Sequence, residues 1–249
     1  MDMLKTAVGK SQGIVNLRII RKKAGFLGMY PIYYLFDDTQ SVFFLNSKKM
    51  TRNKTSNYLI SWEKDVFNKD HDSYVGKLRS NNDKSKYLLY DNGESIEKNK
   101  AAGIDKIRCE LAYVAYNIEK VNINGTRNVM VALPKLDEEY HPMVFRQLKK
   151  EDSICYHYAD GKKENLYTFE NAMPYWKNNK YVLNFSERIK KSSVKNLQII
   201  RTRKSKDGES KTDIVLEFGK VSSNEFSLTL KYPFSIMNAF SVALSSFDK

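Results

Sequence analysis

From Tyr232 to Phe247 the chain carries no charged residue, although 29% of its 249 residues are Asp, Glu, Lys or Arg. The large side chains in this stretch are Phe234, Ile236, Met237, Phe240, Val242, Leu244 and Phe247. The polar ones, Ser235, Asn238, Ser241, Ser245 and Ser246, are small. At 3.6 residues per turn the apolar groups point in nearly every direction. A helix that is apolar all round must be buried all round. About 15 residues at 1.5 Å each give ~22 Å, short of the ~30 Å of a bilayer's hydrocarbon core. The segment is therefore expected to lie inside a protein. Pro233 suits its first turn, where the missing N–H has no partner to lose.

The rest of the chain must supply the wall around that helix. Short runs rich in Val, Ile, Tyr and Phe recur at 28–36, 41–45, 57–62, 74–79, 87–90, 110–118, 129–133, 181–185, 194–200, 214–218 and 226–232, with 14–20 as a twelfth. Asn-Gly or Asp-Gly pairs stand at 92–93, 124–125, 160–161 and 207–208, and such pairs tolerate the positive φ of tight hairpin turns. Many short strands at fairly even spacing point to an antiparallel sandwich or barrel, and the terminal helix favours a barrel closed around it. Neither a Gly-rich phosphate loop nor βαβ alternation is visible. A short surface helix is expected around Arg146–Glu151 and a loop over 93–107. No linker or internal repeat divides the chain.

Composition narrows the function. The two cysteines, Cys109 and Cys155, cannot form a disulfide framework, which favours a reduced, intracellular protein. The N-terminal residues lack the apolar run of a secretion signal. The three histidines, His71, His141 and His157, sit in no metal-ligand pattern. A nucleophile motif and a recognisable acid–base pair are equally lacking, so no cofactor, no metal and no enzymatic activity are expected. The net charge of +13 then needs an anionic partner, either nucleic acid or lipid head groups, or it serves solubility alone.

The basic residues cluster at 21–23, 48–54, 77–79, 190–191 and 201–206. On a strand, residues two apart face the same side, so Lys77 and Arg79 should point together, away from Leu78. A rigid guanidinium beside mobile lysines makes a good phosphate receptor.

Several blocks resemble the tubby-like family. They are Gly28-Met29-Tyr30-Pro31, Lys54-Thr55-Ser56-Asn57-Tyr58-Leu59-Ile60-Ser61, and Asp72-Ser73-Tyr74-Val75-Gly76-Lys77-Leu78-Arg79-Ser80-Asn81. Then come Tyr90-Asp91-Asn92-Gly93, Glu110-Leu111-Ala112, Tyr181-Val182-Leu183-Asn184-Phe185, Ser193-Val194-Lys195-Asn196, Phe218-Gly219-Lys220-Val221 and the end, 239–248. The blocks follow the family's order from about residue 14 onward. Residues 1–13 read as an N-terminal extension and 14–249 as one domain. Members usually carry a long region before this domain, so the chain resembles an excised domain.

The resemblance implies a mainly β fold, a closed antiparallel twelve-stranded barrel threaded by a hydrophobic C-terminal α-helix. It also implies a non-catalytic, monomeric module that binds phosphatidylinositol 4,5-bisphosphate at a basic pocket. The matching positions are Lys48, Lys49, Arg52, Lys54 and Arg79. Met50, Thr51 and Asn53 interrupt what is a denser basic run in the family. The departures concentrate between 136 and 180, where Trp176 fits the family's Trp-containing stretch best. The implied location is the cytoplasm and the inner face of the plasma membrane, with nucleus or cilium left open, and a role in signalling or trafficking. Nucleic-acid binding with a role in transcription is the alternative, although no helix-turn-helix, zinc finger or aromatic RNA-binding signature is visible.

Overall fold

A computed structural model describes residues 2–25, 29–51, 53–97, 99, 103–117, 128–177, 179–204 and 210–248. The strands are β1 (Val15–Lys22), β2 (Ile32–Asp37), β3 (Phe43–Lys49), β4 (Asn57–Ser61), β5 (Tyr74–Ser80), β6 (Lys86–Asp91), β7 (Glu110–Asn117), β8 (Asn128–Pro134), β9 (Leu166–Asn171), β10 (Tyr175–Lys177), β11 (Lys180–Val182), β12 (Leu197–Lys204), β13 (Ser210–Lys220) and β14 (Glu225–Leu230). The helices are α1 (Asp2–Lys5), α2 (Ile154–Ala159) and α3 (Ile236–Asp248). Twelve strands form one closed antiparallel barrel, and β1 seals it by pairing with both β2 and β14. A closed sheet exposes no edge to other chains. Strands β10 and β11 form a separate two-stranded hairpin between β9 and β12.

Helix α3 runs through the barrel, and every residue from Met237 to Phe247 is buried. The uncharged segment is thus surrounded on all sides, including the side on which Asn238, Ser241 and Ser245 line up at helical spacing. Phe247 stacks on Tyr33 at 4.4 Å and meets Phe226 edge-on at 4.7 Å. The small polar residues resolve a second problem, because hydroxyls in a core must find partners. Ser241 Oγ donates to the Asn238 carbonyl and Ser245 Oγ to the Val242 carbonyl, each at 2.7 Å. A longer polar side chain could not fold back in this way. Gly76 on β5 lets the helix approach the wall, since a Cβ there would lie 2.5 Å from Met237 Cε and 2.2 Å from the Tyr90 carbonyl oxygen.

Four local expectations need correction. The helix starts at Ile236, so Pro233 precedes it rather than occupying its first turn. The run at 181–185 is no barrel strand; β11 belongs to the hairpin, and the twelfth wall strand is β9, which alternates buried and accessible residues. The surface helix is displaced to Ile154–Ala159, because Arg146 bridges to Cys109 instead. Neither Asp160-Gly161, which ends that helix with Gly161 at φ +74, nor Asn92-Gly93, which opens the long β6–β7 connection, makes a tight hairpin turn. The pairs at 124–125 and 207–208 lie outside the described residues. The stretch 93–107 is a loop with a single 3₁₀ turn at Ile104–Lys106, as far as it is described.

Strand register sorts the connections between two ends of the barrel. Lys49 opposes Tyr58, Asn57 opposes Arg79, Ser80 opposes Tyr87, Lys86 opposes Ala115, Asn117 opposes Asn128, and Met130 opposes Glu170. The β3–β4, β5–β6, β7–β8 and β9–β12 connections therefore leave from one end. Asp248, at the C-terminus of α3, reaches Lys49, Tyr58 and Tyr87 there.

Outside the wall, α2 covers Glu110. The Glu110 Oε2 accepts from Ser153 Oγ at 3.0 Å and from the Ile154 N–H at 2.8 Å, while Oε1 has no partner among the described residues. Burial pushes its pKa up to about 7, against the pull of those two donors and of Arg108.

Two outcomes follow for stability. Phe240→Ala should cost about 3–5 kcal/mol in urea unfolding, because the closed wall cannot collapse onto the cavity. For Glu110 the folded state binds its proton more tightly than the unfolded chain does. Its contribution to stability therefore falls as pH rises from 4.5 to about 7. Glu110→Gln should flatten the melting temperature's pH dependence across that window, as read by thermal melts.

Candidate functional site

The wall alternates its side chains between core and exterior. On β5, Leu78 is fully buried, whereas Lys77 and Arg79 are partly accessible on the outer face, as their spacing required. Register then decides what surrounds them. Lys48 of β3 opposes Leu59 of β4, which opposes Lys77. Three neighbouring strands at ~4.8 Å spacing thus place the Lys48 and Lys77 backbones ~10 Å apart on one face. The next row sets Asn57 directly beside Arg79.

Arg79 is anchored to the β3–β4 loop, donating to Thr55 Oγ1 at 2.9 Å, and its Nε has no partner among the described residues. Asn57 Oδ1 is likewise without a partner. Neither Arg79 nor Lys48 forms an ion pair with a carboxylate among the described residues. The Lys48 ammonium lies 5.8 Å from the centre of the Phe67 ring. Lys54 is exposed in the same loop, and Arg52 lies outside the described residues. Lys48 and Arg79 therefore share the outer face of β3–β5, and Lys54 stands in the loop at its end. The sequence reading paired Lys77 with Arg79 but did not count it as a site residue, and it missed Asn57. Only the register across β4 puts these two into the same cluster.

Lys49 is placed differently. It opposes Tyr58, whose side chain is in the core, so it faces inward. Its Nζ donates to Asp248 Oδ1 at 2.7 Å. Tyr58 and Tyr87 donate their phenolic protons to the same carboxylate at 3.2 and 3.0 Å. Lys84 Nζ lies 3.8 Å away. Burial alone would raise the Asp248 pKa, but the hydrogen bonds and charge of Lys49, with the Tyr87 hydroxyl, hold it below the usual carboxylate range. Burial and the Asp248 charge push the Tyr58 pKa up in turn. This cluster ties the end of α3 to the start of the basic loop.

A carboxylate whose pKa is depressed by folding stabilises the native state above its unfolded pKa, and that contribution is lost as pH falls through the folded value. Asp248→Asn should therefore lower the melting temperature at pH 7. The difference from the parent protein should shrink as the pH drops below the ordinary carboxylate range, which thermal melts at stepped pH will read.

The comparisons with known proteins agree with this architecture. A model of the Tub family matches residues 5–249. The chain is 34% identical over 238 residues to Tubby-related protein 1 of Homo sapiens, covering 94% of this chain and 43% of that protein. It is 35% identical over 248 residues to Tubby-related protein 3 of Homo sapiens, covering 95% and 54%. It is 33% identical over 245 residues to Protein king tubby 1 of Aedes aegypti, covering 95% and 57%. The chain thus spans about half the length of the curated relatives it matches. With a family match across nearly its whole length and the barrel-and-helix architecture in place, the chain belongs to the Tub family.

Proposed function

We propose that this chain is a non-catalytic module that binds the head group of phosphatidylinositol 4,5-bisphosphate and tethers its protein reversibly to the inner face of the plasma membrane. The observation that carries the reading is the outer face of β3–β5. It joins a guanidinium, two ammonium groups and an amide on adjacent strands, and Arg79 and Lys48 have no carboxylate partner among the described residues. Two vicinal phosphates need at least one bidentate donor and several positive point charges, which Arg and Lys supply in that order. Arg79 is held in place through Thr55, so little side-chain freedom is lost on binding. Lys54 extends the site along the loop, Lys77 and Asn57 complete it from the wall, and Arg52 is assigned to it by its place in the sequence alone.

In this reading Lys49 contributes indirectly. Its ammonium neutralises Asp248 and holds the base of the loop. The remaining positive charge adds long-range attraction to an anionic surface, at about 1 kcal/mol for each basic residue close to it. No helix among the described residues is long and apolar enough to cross a membrane. A surface-bound mode is consistent with that.

Liposome co-sedimentation tests the assignment. Arg79→Ala should lower affinity for bisphosphate-containing vesicles about tenfold or more while leaving the melting temperature nearly unchanged. Lys49→Ala should reverse the pattern, destabilising the fold by about 2 kcal/mol with a smaller loss of binding. Wild-type binding by Arg79→Ala would sink the pocket.

A further inference from the structure

The connection from β9 to β12 holds the β10–β11 hairpin, whose register pairs Trp176 with Tyr181 and Lys177 with Lys180. All three residues of β10 are exposed, on both of its faces. Trp176 is 60% exposed, Tyr175 41% and Met173 54%. Large side chains left so open on a hairpin outside the barrel contribute little to the core. An aromatic cluster of this kind marks a surface that meets something else.

The surroundings identify the partner. Residues 172–196 contain six basic residues, Lys177, Lys180, Arg188, Lys190, Lys191 and Lys195, against one acidic residue, Glu187. Arg188 is taken up by Asp38 and Lys195 by the last carbonyls of α3, which leaves four lysines. Lys177, Lys190 and Lys191 are exposed. Trp and Tyr have an apolar ring and one polar handle. They favour the boundary between head groups and acyl chains, whereas flanking lysines favour the anionic head groups. The register places this connection at the same barrel end as the β3–β4 loop that caps the basic face. The strand order sets the hairpin about half-way round the barrel from β4, so a surface that meets both the hairpin and the β3–β4 loop lies across the mouth, not along the outer wall. Val194, 78% exposed, stands next to Lys195, whose ammonium reaches the Ser246 and Phe247 carbonyls at that end.

We propose that the β10–β11 hairpin is a membrane-insertion wedge, which seats Trp176 and Tyr175 in the interfacial layer of an anionic bilayer. The wedge rests on the reading of the chain as a membrane-surface module. It is a second contact, separate from head-group recognition on β3–β5. The depth required is the ~5–10 Å typical of interfacial segments, so the exposed hairpin backbone stays within the hydrated layer.

The experiment uses the chain with Trp62→Phe, which leaves Trp176 as the sole indole. It is mixed with vesicles of phosphatidylcholine and phosphatidylserine, with and without phosphatidylinositol 4,5-bisphosphate. Trp176 emission should move to the blue on both anionic surfaces and be quenched by lipids brominated near the head group. Tyr175→Ala/Trp176→Ala should bind vesicles about tenfold more weakly while its calorimetric affinity for soluble inositol 1,4,5-trisphosphate stays unchanged. Vesicle binding without a shift or quenching of Trp176 overturns the wedge and leaves the hairpin as a protein-docking surface. Unchanged vesicle affinity of the double variant overturns it as well. Loss of wild-type inositol trisphosphate binding, with Trp176 still inserting, removes the head-group site and leaves the wedge standing. Failure to bind any anionic vesicle overturns both.

Discussion

The burial of one uncharged helix inside a closed sheet is the constraint on which the rest of the molecule depends. Helix α3 carries no charge from Ile236 to Phe247, and its one polar stripe, Asn238, Ser241 and Ser245, is buried like the rest, so it is stable only if surrounded. A sheet wide enough to surround it must close, because an open twelve-stranded sheet would leave the helix half wet and two strand edges bare. Closure in turn fixes the alternation of every wall strand. One set of side chains meets α3, and the other is released to the exterior. The outer face of β3–β5 can carry lysines and arginines because the inner face supplies the main core, whereas under α2 the outer face buries Tyr113, Ala132 and Leu166 in a second cluster.

The same constraint explains how the helix end and the basic loop are coupled. When α3 reaches the barrel mouth, its last described residue is an acid. That carboxylate is accommodated by Lys49 and two tyrosines from three different strands. Lys49 is therefore consumed by the interior, although its neighbour Lys48 serves the exterior. Two adjacent basic residues in the sequence acquire opposite roles because a strand turns successive side chains to opposite faces. The mouth of the barrel, with its loops and hairpin, is where the fold presents charge and aromatic surface together.

Much of this architecture was legible in the chain. The uncharged segment, the short aliphatic and aromatic runs and their even spacing pointed to a barrel around a helix. The alternation at Lys77, Leu78 and Arg79 placed the two cations outward. The errors arose where local pattern is weak. Leu166–Asn171 carries Thr and Glu on its accessible side and did not read as a wall strand, whereas Tyr181–Phe185 looked like one but pairs only within a hairpin. Pro233 was compatible with a helix start, yet the first turn forms three residues later.

Composition and periodicity by themselves determined that a helix must be buried, that strands must enclose it, and that the surface is strongly basic. These are one-dimensional properties, because hydrophobic period and net charge need no partner to be defined. Tertiary structure alone decided which cations share a face. Register across β4 brought Lys48, Asn57, Lys77 and Arg79 together and turned Lys49 onto Asp248. Register is a relation between strands far apart in the chain. A shift of one residue would exchange inside for outside, and only the packing of the closed barrel against α3 selects between them.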